Sequence, residues 1–323
     1  MKKQIKMLTA GAIALAAIGF SCDDNSMGPD INDPNAQKGT LSVSVTDAPI
    51  DADNVSAVFV TFTEIKIDGE TFSGFTGPKT VNLLELQNGN SLNLGSSEAT
   101  VGSYSNLELF IDSETDDSGS GPGCYIMMAD GTKEKLQLSG LSGNGATSLT
   151  IKPKNFEVTE NGTTEIVMDF DLRKAIKSNE NTGFTFVSKG QLTSAVRAEN
   201  KEMTGMIKGN IENSSGTDLV VYAYKKGEFN ENAEINASGN SEVKFAKAVT
   251  SAKVDANGNF TLAFLPEGDY EVYCDKPQSN GLGIGLNTLL DLSSNTDLQN
   301  VGVDAGAETN VTATVDLGGV LNL

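Results

Sequence analysis

The sequence predicts an all-β protein made of two consecutive antiparallel β-sandwich domains. Three observations point there. Short runs alternate apolar and polar residues, as half-buried strands do. Gly, Asn and Asp punctuate these runs at turn spacing. Helical patterning is nearly absent, with only Leu172 to Lys177 and Leu286 to Leu292 suggesting a turn or two. A chain of 323 residues, 38% hydrophobic with 34 Gly, suits about two domains of ordinary size.

The chain opens with Met1-Lys2-Lys3-Gln4-Ile5-Lys6, a basic start followed by an apolar run from Met7 to Phe20 and by Ser21-Cys22. That run is too short to span a bilayer, and its flanks read as a secretory signal over residues 1–21. A small residue followed by Cys at this point resembles the lipobox of bacterial lipoproteins, which implies that Cys22 is acylated and becomes the new N-terminus. Each buried CH₂ of an acyl chain contributes about 0.8 kcal/mol to membrane binding, so a multiply acylated Cys22 is a stable anchor. Residues 22–38, rich in Asp, Asn and Pro, read as a solvated tether. Acidic residues directly after the Cys also resemble the export signal that carries some lipoproteins to the outer face of the outer membrane.

From residue 39 the pattern becomes β. Leu41, Val43 and Val45 share one face of the first strand and hydroxyl residues the other. Val55 to Ile67 is long, with Val58, Val60 and Phe62 making its second face apolar too, the mark of a central strand. Tyr104 to Asp112 and Thr185 to Val196 read the same way. Asp68-Gly69, Asp130-Gly131 and Asn161-Gly162 are hairpin signals between such runs.

Gly39 to Pro49, with its Thr46-Asp47-Ala48-Pro49 ending, carries a family resemblance together with Val58 to Phe62, Val81 to Leu86, Val101-Gly102-Ser103-Tyr104 and Met168-Asp169-Phe170-Asp171. Residues 39–198 resemble the bacterial lipoprotein family known as domain of unknown function 4382. The resemblance implies an extracytoplasmic β domain and brings no activity or functional residue with it.

A short polar break, Ala198 to Glu202, precedes a second unit over 203–323. Val254 to Leu262 and Leu265-Pro266-Glu267-Gly268-Asp269-Tyr270, with Gly205 to Ile211, Leu219 to Tyr224 and a closing strand from Gly306 to Leu317, resemble the carboxypeptidase-regulatory-like, transthyretin-like sandwich. Asn257-Gly258 reads as a tight hairpin turn. Phe260, Leu262 and Phe264, then Tyr270, Val272 and Cys274, alternate into a core. Asp275 to Asn300 is a long insertion, and loops at sandwich ends are where binding concentrates.

The chemistry available is narrow. With no His, imidazole-based hydrolysis and the common His-ligated zinc and haem sites are excluded. A formal charge of −20 repels phosphate backbones, which excludes nucleic acid as an expected partner. Oxygen-rich loops around Asp47, Asp51 and Asp53, and around Asp112, Asp116 and Asp117, are either Ca²⁺ sites or solvated acidic turns. Asp169 and Asp171 point to one face of a strand and pose the question of a carboxylate pair, although the chain has no Trp to make a sugar platform. Gly281, Gly283 and Gly285 form a Gly-rich stretch that follows no buried parallel strand, so it reads as a ligand loop rather than a dinucleotide motif. Cys124 and Cys274 fall one in each unit, either as buried free thiols or as an inter-domain disulfide.

These readings converge on a non-catalytic lipoprotein of the outer membrane, anchored through Cys22 and facing the cell surface. Its expected partners are extracellular glycan or another envelope protein. The alternative is a structural or assembly subunit of an envelope complex.

Overall fold

The computed structural model describes residues 28–48, 54–138, 146–154, 156–179, 183–214, 218–235, 243–276 and 288–315. Cys22, Asp51, Asp53, Gly281, Gly283 and Gly285 lie outside them. The fold is all-β, as two sandwiches with separate hydrophobic cores.

In the first sandwich the strands follow in the order β1 (Lys38–Ala48), β2 (Val55–Ile67), β3 (Glu70–Thr71), β4 (Lys79–Asn82), β5 (Leu92–Thr100), β6 (Gly102–Ser103), β7 (Leu107–Asp112) and β8 (Tyr125–Met128). They continue with β9 (Lys133–Lys135), β10 (Thr147–Ile151), β11 (Glu157–Val158), β12 (Thr163–Asp171), β13 (Ile176–Asn179), β14 (Gly183–Phe186) and β15 (Val196–Asn200). One sheet has the order β15-β12-β1-β5, and the facing sheet runs β10-β7-β2-β8-β9 with β3 and β4 also on β2. Leu41, Val43 and Val45 of β1 and Ile166, Met168 and Phe170 of β12 meet Val58, Val60 and Phe62 of β2 in the core. A register shift between Phe62 and Glu64 then turns Ile65 and Ile67 inward. This bulge is what gives β2 apolar residues in both alternation phases.

Two hairpin signals hold. Asp68 and Gly69, both at positive φ (46° and 91°), turn β2 into β3, and Gly131 (φ 86°) sits between the paired β8 and β9. At Asn161 (φ 55°) the chain turns without making a hairpin, because β11 pairs with β6 while β12 runs parallel to β1. Thr185 to Val196 is likewise no continuous strand. It contains α2 (Lys189–Ser194), whose capping box between Ser188 and Gln191 was the overlooked signal. The earlier helical turn, α1 (Leu172–Ala175), lies where the pattern placed it.

The tether docks before residue 38. Ile31 is 2% exposed within the first core, and its carbonyl accepts from the Thr100 N–H.

The second sandwich contains β16 (Thr204–Glu212), β17 (Val220–Lys225), α3 (Glu231–Glu234), β18 (Thr250–Lys253), β19 (Asn259–Pro266), β20 (Gly268–Lys276), β21 (Thr288–Leu290), β22 (Leu292–Ser294), β23 (Val301–Val303) and β24 (Glu308–Val315). Its sheets run β19-β16-β24-β22 and β18-β17-β20-β21, with β23 also on β20. Among the described strands each sandwich departs from a purely antiparallel plan by one parallel strand pair, β1 with β12 and β16 with β24. The turn at Asn257-Gly258 joins strands of opposite sheets, so it is a corner rather than a hairpin. Thr288 to Leu292 is extended where a helical turn was expected, since Leu290 pairs with Cys274 and is buried in the core. Packing overrides weak helical patterning here.

The alternation of β19 breaks at Phe264. A register shift in the β16–β19 pairing and a φ of 53° at Phe264 put Leu265 into the second core instead. Phe264, with Ala263 and half-buried Met206, packs on Val167 of the first sandwich. The two sandwiches are therefore joined through side chains as well as through the short 3₁₀ turn Lys201–Met203. Among the described residues no helix is long and apolar enough to cross a membrane.

Candidate functional site

A constellation of buried charged side chains lies where the sandwiches meet. On β12 the period-two alternation turns Val167, Asp169 and Asp171 away from the first core, toward the second unit. Asp169 and Asp171 are 4% and 5% exposed. Burying two carboxylates this deeply requires charged partners, and each has an arginine.

Arg197 lies opposite Asp169 on the neighbouring β15. Its Nε and Nη2 donate to Asp169 Oδ2 at 3.0 and 2.7 Å, while Nη1 donates to the Phe264 carbonyl at 2.5 Å. Arg173 begins just past the end of β12 and repeats the arrangement. Its Nη2 donates to Asp171 Oδ2 at 2.9 Å, and its Nη1 donates to the carbonyls of Phe245 (2.6 Å) and Lys244 (2.8 Å). The same guanidinium lies 5.3 Å from the centroid of Tyr222, whose ring stacks on Phe245 at 4.1 Å. Lys174 completes the set, with Nζ 3.1 Å from Asp171 Oδ2 and donating to the Ala248 carbonyl at 2.7 Å.

Electrostatics divide these carboxylates. Burial acts to raise the Asp171 carboxyl, but Arg173 and Lys174 outweigh it and hold it below the ordinary carboxylate range. Asp47, 6% exposed at the end of β1, is pushed well above that range by burial and then by the charges of Asp169 and Asp171. Its Oδ1 accepts from the Leu172 N–H, while Oδ2 has no hydrogen-bond partner among the described residues. Asp47 is thus a junction residue and not part of an open acidic loop.

Asp112, Asp116 and Asp117 belong together elsewhere, at the end of β7 and in the loop after it. Asp112 accepts from the N–H groups of Glu114 and Thr115 and from the Thr115 hydroxyl, and Asp116 accepts from Ser118 and Ser120. Asp117 accepts from the Thr80 N–H. The Ser118 hydroxyl and the Ser120 N–H hold Asp116 below its ordinary value. The Asp112 and Asp116 oxygens cap the turns of their own loop, and Asp117 ties that loop to β4. Among the described residues no group of three or more acidic, Cys or His side chains is gathered as a metal site.

Cys124 and Cys274 are both buried and free, each in its own core.

Sequence reasoning missed the basic half of the junction. Arg173 continues the period-two series Asp169, Asp171, and Arg197 directly follows the segment Thr185 to Val196 that reads as one strand. Basic residues in apolar strand contexts, in a chain with 23 Lys and Arg against 43 Asp and Glu, were the available signal.

A second feature adjoins the junction. A cleft of about 530 Å³ is lined by Gly227, Glu228, Phe229, Asn230 and Lys247. Phe229 stacks on Tyr273 at 3.7 Å, and Tyr224 meets both rings edge-on.

No curated protein matches the chain. Among solved structures it is similar to the TIE protein of Bacillus anthracis, with 11% identity and a TM-score of 0.20 over 87% of this chain and 34% of that one. The chain thus spans about a third of that protein's length. It is similar to BcpA, the major pilin subunit of Bacillus cereus, at 11% identity and a TM-score of 0.20, over 87% of this chain and 70% of that one. The minor pilin of Streptococcus agalactiae gives 11% identity and a TM-score of 0.19, over 85% of this chain and 95% of that one. Residues 38–188, from the start of β1 to the cap of α2, match the model of the domain of unknown function DUF4382.

Proposed function

We propose that this protein is a non-catalytic lipoprotein of the cell envelope, anchored to the outer membrane through Cys22 and displaying two joined sandwiches at the cell surface, where they bind extracellular glycan or a partner protein. The second sandwich, on this reading, is of the carboxypeptidase-regulatory-like type. One observation carries the non-catalytic part: Asp169 and Asp171, the pair that invites an acid–base mechanism, are engaged by Arg197 and Arg173, which also bind carbonyls of the second sandwich. A glycosidase pair needs an open cleft with a substrate between two carboxyl groups, whereas these are buried between domains. Arginines that bond one domain to the other suit a protein that presents a binding surface rather than one that turns over substrate.

The test is binding by the full chain. Immobilised protein is probed with extracellular polysaccharides and, in parallel, with solubilised envelope proteins. Saturable binding to one polysaccharide class supports the glycan reading, and capture of one stoichiometric envelope protein supports the protein-partner reading. Polysaccharide hydrolysis abolished by Asp171→Asn would overturn the non-catalytic reading. For the anchor, a Cys22→Ser chain recovered in the soluble fraction supports the reading, and one found wholly in membranes overturns it.

A further inference from the structure

We propose that the cleft between residues 227–230 and Lys247 is a subsite for one ring of a neutral saccharide. The inference rests on the glycan reading above and assigns it a place.

The cleft combines the two surfaces a sugar ring requires. Its apolar side is Phe229, a half-buried ring held flat on Tyr273 (interplanar angle 24°) and braced edge-on by Tyr224 at 73°. Such a three-ring block offers an apolar face without ordering a mobile side chain on binding. The polar side carries both hydrogen-bonding senses: the Glu228 carboxylate accepts, the Lys247 ammonium donates, and the Asn230 amide adds N–H donors while its Oδ1 accepts from the Ala233 N–H. Sugar hydroxyls are donors and acceptors at once and match this mixture. One carboxylate and one ammonium give the lining no surplus positive charge, and the chain as a whole carries −20. An anionic ligand is repelled by that field, so a neutral ring is the class selected.

The walls are also fixed in place. Glu234, 3% exposed, accepts from the Tyr224 hydroxyl at 2.9 Å and from the Lys247 N–H at 3.0 Å, while its own carbonyl accepts from the Phe245 N–H. On the other wall the Gly227 N–H donates to Glu271 Oε1, and the Tyr273 hydroxyl donates to Gln299. From behind, Arg173 and Lys174 of the first sandwich hold the carbonyls of Lys244, Phe245 and Ala248. The segment that carries Lys247 is thereby gripped from the neighbouring domain, and this gives domain docking a purpose in ligand binding. An anchored backbone that sets polar side chains beside an aromatic surface has the usual composition of a small-ligand site.

The experiment places the full chain on an array of neutral and acidic oligosaccharides and titrates the strongest binder against wild type, Phe229→Ala, Lys247→Ala and Glu228→Gln. A neutral oligosaccharide bound by wild type and weakened tenfold or more by Phe229→Ala, and at least fivefold by Lys247→Ala or Glu228→Gln, is the expected result. Lys247 and Glu228 are exposed, so their variants stay informative if Phe229→Ala unfolds. Binding of undiminished strength in both polar variants overturns this site and leaves the glycan reading standing. Preference for acidic sugars overturns the neutral class. Silence of wild type across the array overturns the subsite and the glycan reading together.

Discussion

Arg173 of the first sandwich donates to the carbonyl of Phe245 in the second at 2.6 Å. Phe245 holds a φ of 51°, in the left-handed region that a bulky residue rarely occupies. The Arg197 and Phe264 pair repeats the relationship, with Phe264 at φ 53°. Both strained residues present a carbonyl to a guanidinium that also donates through Nη2 to an aspartate of β12. Backbone strain of this kind costs of order 1–3 kcal/mol per residue and persists only where surrounding contacts over-determine it. Here the two arginines supply those contacts.

Arg173→Ala is expected to destabilise the protein by about 3–5 kcal/mol, because it leaves the buried Asp171 with Lys174 alone and strips two carbonyls of their donor. Since the lost bonds join the domains, calorimetry should resolve two unfolding transitions in place of a single one. One unchanged transition in the variant would refute the junction as the source of coupling.

Arg197→Lys tests geometry rather than charge. The guanidinium reaches Asp169 and the Phe264 carbonyl at the same time through separate nitrogens. A lysine is a point charge on a flexible stem and cannot hold both with one planar fork. The expected cost is about 1–3 kcal/mol, that of leaving one buried acceptor unpaired. Denaturant melts superimposable on wild type would mean that the positive charge alone suffices.

The junction also sets an opposed pair of pH dependences. Asp171, held below its ordinary 3.8 against the effect of burial, adds stability that is present above that value and lost as pH falls through its folded pKa. Asp47, raised well above 3.8 by burial and by its acidic neighbours, contributes stability that is full below 3.8 and lost as pH rises through its folded pKa. Asp47→Asn removes only the second effect. It is expected to melt higher than wild type at about pH 8 and to flatten the decline of melting temperature above mildly acid pH. A variant that melts lower than wild type at that pH would show the Asp47 charge to be stabilising.

Much of the architecture was legible because period two is a local property. β1 and β2, the Asp68-Gly69 and Asp130-Gly131 hairpins and the two separate cores follow from residues close in sequence. What escaped depends on partners distant in the chain. Whether Asn161-Gly162 closes a hairpin is decided by β1, more than a hundred residues away, which takes β12 as a parallel neighbour. Phe264 reads as a core residue until a shifted register turns it toward Val167. Asp169 and Asp171 were visible as a pair on one face, yet their role required Arg173 and Arg197, whose bonds run to residues 66 to 72 positions further on. The aromatic block of the cleft unites Phe229 of the β17–α3 connection with Tyr273 of β20, and no motif spacing relates them.

The two remaining cysteines give a reading of core integrity that is independent of the junction. Both are wholly buried, and the Cys124 thiol donates to the Asp112 carbonyl. Burial pushes Cys124 up to about 12 and raises Cys274 as well, with the Asp275 charge adding to the second. The thiolate is the reactive form, so near pH 8 a thiol with a pKa of about 12 has roughly one part in ten thousand available, against about a quarter for an unperturbed cysteine. In a Cys22→Ser chain, native protein is expected to leave an aromatic disulfide reagent unreacted over minutes, and denaturant without reductant should release two thiols per chain. No thiols on denaturation would reveal a disulfide between the sandwiches, and rapid reaction of one in the native state would place it outside its core.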